Sequence, residues 1–313
     1  SLQLTDKILL PGGAGLVGQN LVARLKDAGY RNLVVLDKHR ANLATLKRVQ
    51  PDIVAEYADL AEPGDWSKHF AGAAVVVQLQ AQIGGLRLED FTRNNVESTR
   101  QVLAAMKTHA VPYLVHISSS VVKSVADDFY TNTKKEQEAV VEASDIAHVT
   151  LRPTLMFGWF DRKHLGWLSR FMKKVPIFPI PGHGRYMRQP LYSGDFCNVI
   201  ISCMQHRPSG TYNISGLEQV DYIDIIREIR RATRAKTLIA NIPYSLFKAL
   251  LTTWAVFDKN PPFTTQQLQA LTARDEFEVI DWPGLFKVTP TPFAAAIDAT
   301  FNDPRYRDIV LEF

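Results

Sequence analysis

The sequence predicts an α/β fold: a Rossmann-type, doubly wound parallel sheet with a smaller, interleaved C-terminal substrate domain. Three observations lead there. Short apolar runs alternate with helical periodicity through the first half of the chain. A glycine-rich turn joins the first run to the first helix, and Asp37 closes the second run. Continuous apolar runs are the mark of strands covered on both faces, and parallel strands require helical crossovers.

Residues 7–10 (KILL) make the first strand. Residues 16–28 follow as a helix, with Val17, Leu21 and Leu25 on one face and Gly29 where a C-cap is expected. Residues 33–36 (LVVL) are the second strand. The alternation continues with a strand at 52–57, a short helix at 66–70 and a strand at 74–79. A long helix is expected at 95–109, a strand at 113–117, a helix over 130–142 and a strand at 148–151.

After Arg152-Pro153 the texture changes. Residues 159–174 read as an aromatic and basic helix, and 176–184 as a Pro/Gly-rich loop. A helix at 195–204 and a strand at 211–214 follow. From Tyr222 the pattern is helical, broken by Asn260-Pro261-Pro262. The cofactor domain is therefore expected at 1–157 plus 188–215, and the substrate region at 158–187 plus 216–313.

Composition narrows the class. The chain has 313 residues, 22% of them charged, with a net charge of +4, too mild to argue for nucleic acid. Two cysteines, Cys197 and Cys203, make no disulfide framework or zinc site, and the eight histidines show no metal spacing, so no metal is expected. His116, in a buried strand, reads as a core residue. With few thiols and no signal peptide at the N-terminus, a cytoplasmic location is expected. The apolar stretch 242–257 is broken by Pro243 and Lys248 and is shorter than the roughly 20 residues of a membrane span. It reads as a buried or lid-forming helix, with a membrane-surface or apolar-ligand helix as the alternative.

Gly12-x-x-Gly15-x-x-Gly18 lies between strand and helix, with Asp37 about 20 residues on. Glycines permit a tight turn and close backbone approach, and a helix N-terminus, here at Leu16 and Val17, offers free N–H groups to a pyrophosphate. A carboxylate at the end of the second strand suits the two hydroxyls of an adenosine ribose. Asp37 would repel a 2′-phosphate, so NAD is expected; Lys38 and Arg40 keep NADP possible. Gln19-Asn20 follows where a nucleoside-triphosphate loop needs Lys-Ser/Thr.

Tyr130 and Lys134, four apart, share a helix face. The lysine is expected near the phenol, lowering its pKa. Ser118, Ser119 and Ser120 end the strand at 113–117, on the carboxyl edge where open α/β sheets bind ligands. A hydroxyl there can orient a substrate oxygen while the tyrosinate takes its proton.

With these residues the chain resembles the extended short-chain dehydrogenase/reductase family, in its nucleotide-sugar epimerase/dehydratase branch. The resemblance implies that Tyr130, Lys134 and Ser119 are catalytic, Ser119 and Ser120 being the substrate-side serines. It implies that Gly12, Gly15, Leu16, Val17 and Gly18 hold the cofactor with Asp37, with Asp59-Leu60 at the adenine and Leu79-Gln80 at the adenosine ribose. Asn95 resembles the family's helix asparagine, and Pro153 the segment beside the nicotinamide. Arg188 to Asp195 is similar to a segment whose arginine holds a substrate diphosphate. Arg188 is the candidate, Arg185 the alternative, and an ion pair the competing reading for Arg188. The serines are followed by Val121 rather than the Asp-Glu pair of the dehydratases, so elimination is not expected. The expected activity is NAD-dependent epimerisation of a nucleotide sugar by a homodimer. Alternatives are an NAD(P)-dependent reductase of a sugar or apolar substrate, and a non-catalytic dinucleotide-binding assembly or sensor subunit.

Overall fold

A computed structural model describes residues 1–273 and 277–312. In chain order the first half contains β1 (Lys7–Pro11), α1 (Leu16–Asp27), β2 (Leu33–Asp37), α2 (Arg40–Val49), β3 (Val54–Tyr57) and β4 (Ala73–Gln78). It continues with α3 (Leu88–Phe91), α4 (Ser98–Thr108), β5 (Leu114–Ile117), α5 (Phe129–Glu142) and β6 (His148–Pro153). The second half contains β7 (Met156–Phe157), α6 (Leu165–Lys174), β8 (Ile177–Pro181), β9 (Met187–Arg188), β10 (Leu191–Tyr192) and α7 (Ser193–His206). Then come β11 (Gly210–Ile214), β12 (Val220–Asp221), α8 (Tyr222–Thr233), β13 (Leu238–Ile242) and α9 (Tyr244–Phe257). The chain closes with α10 (Thr265–Thr272), α11 (Trp282–Phe286) and α12 (Phe293–Asn302).

The described residues form a parallel seven-stranded sheet in the order β11-β6-β5-β4-β1-β2-β3. Side chains alternate between its faces: Ile8, Leu10, Val35, Val75 and Val115 enter one core, and Leu9, Val34, Val76 and Leu114 the other. Apolar runs without polar alternation thus reflect helices on both sides. The strand order reverses between β1 and β4, which opens a crevice at their carboxyl ends. β11, from the later part of the chain, completes the sheet beside β6.

Several local expectations are corrected. The helix expected at 159–174 begins only at Leu165. Before it, the Asp161 carboxylate accepts the N–H groups of Lys163, His164 and Gly166, which fixes a turn where periodicity suggested helix. Residues 176–184, expected as a loop, contain β8, paired in parallel with β13 from a stretch expected to be helical. β8 carries Pro179 and Pro181, which obscure a strand in sequence but fit a two-stranded ribbon with a free side. α2, which the sequence reading did not identify, fills the connection between β2 and β3. The helix expected from residue 95 begins at Leu88 and contains a π-helical turn, Thr92–Glu97.

A separate core joins α6, α8 and α12 through Met172, Phe178, Ile223, Ile226, Phe293 and Ile297. The chain then returns: Trp282 and Phe286 enter the sheet core, and Leu311 N–H bonds the Phe160 carbonyl. No helix of the described residues is long and apolar enough to cross a membrane.

Candidate active site at the sheet's carboxyl edge

The turn after β1 is wedged between neighbouring strand ends. Gly12 N–H bonds the Leu36 carbonyl, and Leu79 N–H bonds that of Pro11. Gly12 has φ +76°, and a Cβ on it would stand 2.2 Å from the Gln80 backbone nitrogen. A Cβ on Gly18 would stand 2.3 Å from the Gly13 oxygen, so α1 can pack on the turn only as glycine. No side chain caps α1 at Gly15. Its positive end, with Leu16 and Val17 half-buried in the first turn, is left to an anion.

Asp37 closes β2 beside this turn. Its carboxylate accepts from Ala14 N–H at 3.0 Å and His39 N–H at 2.9 Å. Burial pushes the Asp37 carboxyl up, against the pull of those N–H groups. Such a carboxylate retains lone pairs for neutral hydroxyl donors. Both side-chain amide atoms of Gln80, next to Gly12, are buried without a hydrogen-bond partner. Orphaned buried amides beside a glycine cradle, a carboxylate and an uncapped helix end fit a bound dinucleotide. Leu60 is buried, and Leu79 is half-buried against the sheet core. Asp59 is held by both oxygens to the Arg93 guanidinium at 2.8 and 2.9 Å. Burial raises its carboxyl, but Arg93 and the Ala61 N–H outweigh that and hold it below the usual range.

The edge beyond β5 carries the serines, and the structure separates their surroundings. Ser118 Oγ donates to Glu138 Oε2 at 2.5 Å, and Arg152 holds the same carboxylate at 2.6 and 3.0 Å. Ser119 caps a 3-10 turn, accepting the Val121 N–H, and its side chain lies near enough to the Tyr130 phenol to lower its pKa. Ser120 opens that turn, half-buried. Asp128 caps α5 by accepting the Thr131 N–H at 2.7 Å, so Tyr130 and Lys134 fall in successive turns.

Lys134 is buried and donates to the Ile117 carbonyl at 3.3 Å. Burial lowers its pKa to about 8, opposed by the Glu138 charge. The expected lowering of the Tyr130 pKa is not what the chain by itself produces. Burial pushes the phenol up, the nearby Ser119 side chain opposes this, and the Asp128 charge adds to it. The lysine ammonium is directed at the end of β5 instead.

Asn95 lies in the π-helical turn, a device common at functional sites. Its side chain accepts the Gln82 N–H and donates to the Gln82 carbonyl and to Thr133 Oγ1, tying the loop after β4 to α5. His116 is buried behind it, with Nδ1 bonded to the Gln78 amide. Burial, then the Lys134 charge, holds its pKa well below the usual value. Glu138 and Thr133 were missed by sequence reasoning. Glu138, four residues after Lys134, carried an available signal, since α5 directs i and i+4 side chains to one face, whereas Thr133, adjacent to Lys134, carried none.

Pro153 is buried at the end of β6, opposite Ile214 of β11. Arg185 and Arg188 lie in the other region. Arg188 donates to the carbonyls of Met187 and Ala270, and to that of Leu271, at the C-terminal end of α10. Arg185 is exposed and stands 3.5 Å from Asp221.

Residues 8–215 match the model of the NAD dependent epimerase/dehydratase family. The chain belongs to that family. It is thus an NAD-dependent epimerase or related oxidoreductase, of a family that depends on NAD. It is 24% identical over 300 residues to a ceramide reductase of Caulobacter vibrioides, covering 94% of this chain and 90% of that one. It is also 24% identical to the N-acetyl-alpha-D-glucosaminyl-diphospho-ditrans,octacis-undecaprenol 4-epimerase of Escherichia coli O157:H7, covering 78% and 77%. Among solved structures, the UDP-glucuronic acid 4-epimerase of Bacillus cereus in complex with NAD superposes with a TM-score of 0.63 at 23% identity. That match covers 76% of this chain and 87% of the other. Among the described residues no cluster of three or more His, Cys, Asp or Glu side chains is placed to hold a metal.

Proposed function

We propose that this chain epimerises a sugar joined to a diphosphate, by oxidising one of its secondary hydroxyls and reducing the ketone from the opposite face. The observation that carries the reading is the placement of Tyr130 in the first turn of α5 beside Ser119 at the end of β5, with Lys134 buried one helical turn on. Gly12, Gly15, Gly18 and Asp37 would hold NAD, with Gln80 and Asp59-Leu60 on its adenosine side. Bound NAD supplies the acceptor and donor of hydride. The Ser119 hydroxyl orients the substrate oxygen, and Tyr130 takes its proton and later returns it. Lys134, one turn along α5, would hold the cofactor ribose, and Asn95 fixes α5 against the loop after β4. A raised phenol pKa in the chain alone keeps Tyr130 protonated until a positive charge arrives with oxidised cofactor.

A second reading, reduction of a ketone on a long-chain substrate, has its own support. Arg188, the residue expected at a diphosphate, binds the carbonyls that end α10. The ceramide reductase match spans almost the whole chain. The two readings separate on turnover. The purified protein is treated with acid, the released cofactor is identified, and nucleotide- and lipid-linked sugars are screened. An epimerase converts substrate with no net change in absorbance at 340 nm; a reductase consumes NADH stoichiometrically. Released NADP, or no turnover of any diphosphate-linked sugar, overturns the epimerase reading.

A further inference from the structure

Helix α9 has the composition of a core helix and little of the burial. Its sequence, YSLFKALLTTWAVF, contains a single charge, Lys248, yet of its 14 residues, all described, only Phe247 is buried. Trp254 is 52% and Phe257 86% exposed. Beneath it, against α6 and β8, lies a cavity of about 480 Å³, within the range of small-molecule sites. Trp167, Phe171, Phe178, Phe247, Leu251 and Trp254 supply much of its wall. Trp167 and Phe171 stack at 5.1 Å, and Phe178 meets Phe171 edge-on at 5.8 Å, so that wall is interlocked.

The few polar groups nearby are turned away from the space. Thr253 donates its hydroxyl to the Ala249 carbonyl, which leaves the methyl for the cavity, and the Trp254 indole N–H bonds Asp258. A water needs two or more polar partners, and beyond Thr253 and Trp254 the described lining carries polar side-chain groups only on Trp167 and Tyr222. The helices that wall it are basic: α6 and α9 carry Arg170, Lys173, Lys174 and Lys248 and no acidic residue, with Asp258 just past the end of α9. The cavity also adjoins the segment of the expected diphosphate contact. Tyr222, in its wall, directly follows β12, whose partner strand β9 holds Arg188.

We propose that this cavity binds the hydrocarbon chain, acyl or polyprenyl, of an anionic amphiphile, and that this amphiphile is the substrate. The second clause rests on the Tyr130 reading above; the first stands on the cavity itself. α9 is then the wall whose apolar face is completed by the chain it covers.

The test uses NAD-loaded protein and cis-parinaric acid, an 18-carbon anionic polyene that accepts energy from Trp167 and Trp254. Saturable binding of one equivalent is expected. Competing saturated carboxylates of eight, ten and twelve carbons should tighten about fourfold per added methylene. Leu250→Asp places a charge on a cavity-lining side chain that is 55% exposed, so the fold should hold while probe affinity falls by about tenfold or more. No saturable binding by the wild-type chain, or no dependence on carboxylate length, overturns the proposal. So does cosedimentation with phosphatidylglycerol vesicles in the absence of one-to-one probe binding, which would make α9 a bilayer-surface helix. Probe binding absent with substrate turnover intact sinks the cavity alone. Probe binding intact with Tyr130→Phe turning over normally sinks the Tyr130 reading alone.

Discussion

Tyr130 and Lys134 show how one helix sets two environments four residues apart. Tyr130 meets Ser119 at the edge of the crevice, while Lys134 is sealed beneath the end of β5. Tyr130→Phe keeps the ring and its packing but removes the proton acceptor. Turnover should fall about 10³-fold with NAD affinity held, measured by steady-state rates beside calorimetric titration of NAD. Lys134 carries a pH prediction whose sign follows from burial, which disfavours the ammonium. In the chain without cofactor it should be charged below about pH 8 and neutral above it. An exposed lysine keeps its proton to about 10.4. Carbon-13 NMR of labelled lysine Cε should show one titration near 8, lost in Lys134→Met; a spectrum flat to pH 10 would contradict the burial argument. The catalytic candidates were legible as residue types at fixed spacing. Which serine faces the phenol was not, because Ser118 and Ser119 point oppositely from an extended backbone, and Glu138, itself held by Arg152, engages the former.

At the scale of elements, the β1–α1 turn was legible because its requirement is local: three glycines where a Cβ cannot fit. Gly12→Ala combines a left-handed φ with a collision against the Gln80 backbone. It should cost about 2 kcal/mol or more in urea unfolding and weaken NAD binding by spreading β1 from β4. The Glu138–Arg152 pair joins α5 to β6, with side chains 14% and 16% exposed. Glu138→Ala leaves the guanidinium and the Ser118 hydroxyl without their partner. The loss should be about 2 kcal/mol in the same measurement, and Arg152→Met in that background should recover part of it. β8 and β13 were not legible. Each is short and half-exposed, one contains two prolines, and parallel pairing across more than fifty residues has no local signature.

Across the whole molecule, burial is uneven. The sheet strands β1, β2 and β4 are enclosed on both faces, whereas α9 makes few buried contacts. Amide exchange should therefore be slowest in β1 and β4 and faster in α9 than in α8, whose apolar face of Ile223, Ile226 and Ile229 is buried. Adding a twelve-carbon carboxylate should slow exchange in α9 and leave the sheet unchanged. By itself the sequence determined the parallel sheet, the glycine turn between β1 and α1 and the helix that carries Tyr130 and Lys134 four residues apart, because strand burial, glycine sterics and helical spacing act within a few residues of one another. Tertiary structure alone decided where Arg188 is bound, which serine meets Tyr130, how β8 finds β13 and that α9 roofs an apolar cavity. Each of those depends on surfaces brought together from distant parts of the chain, and no local pattern encodes what a side chain will find opposite it.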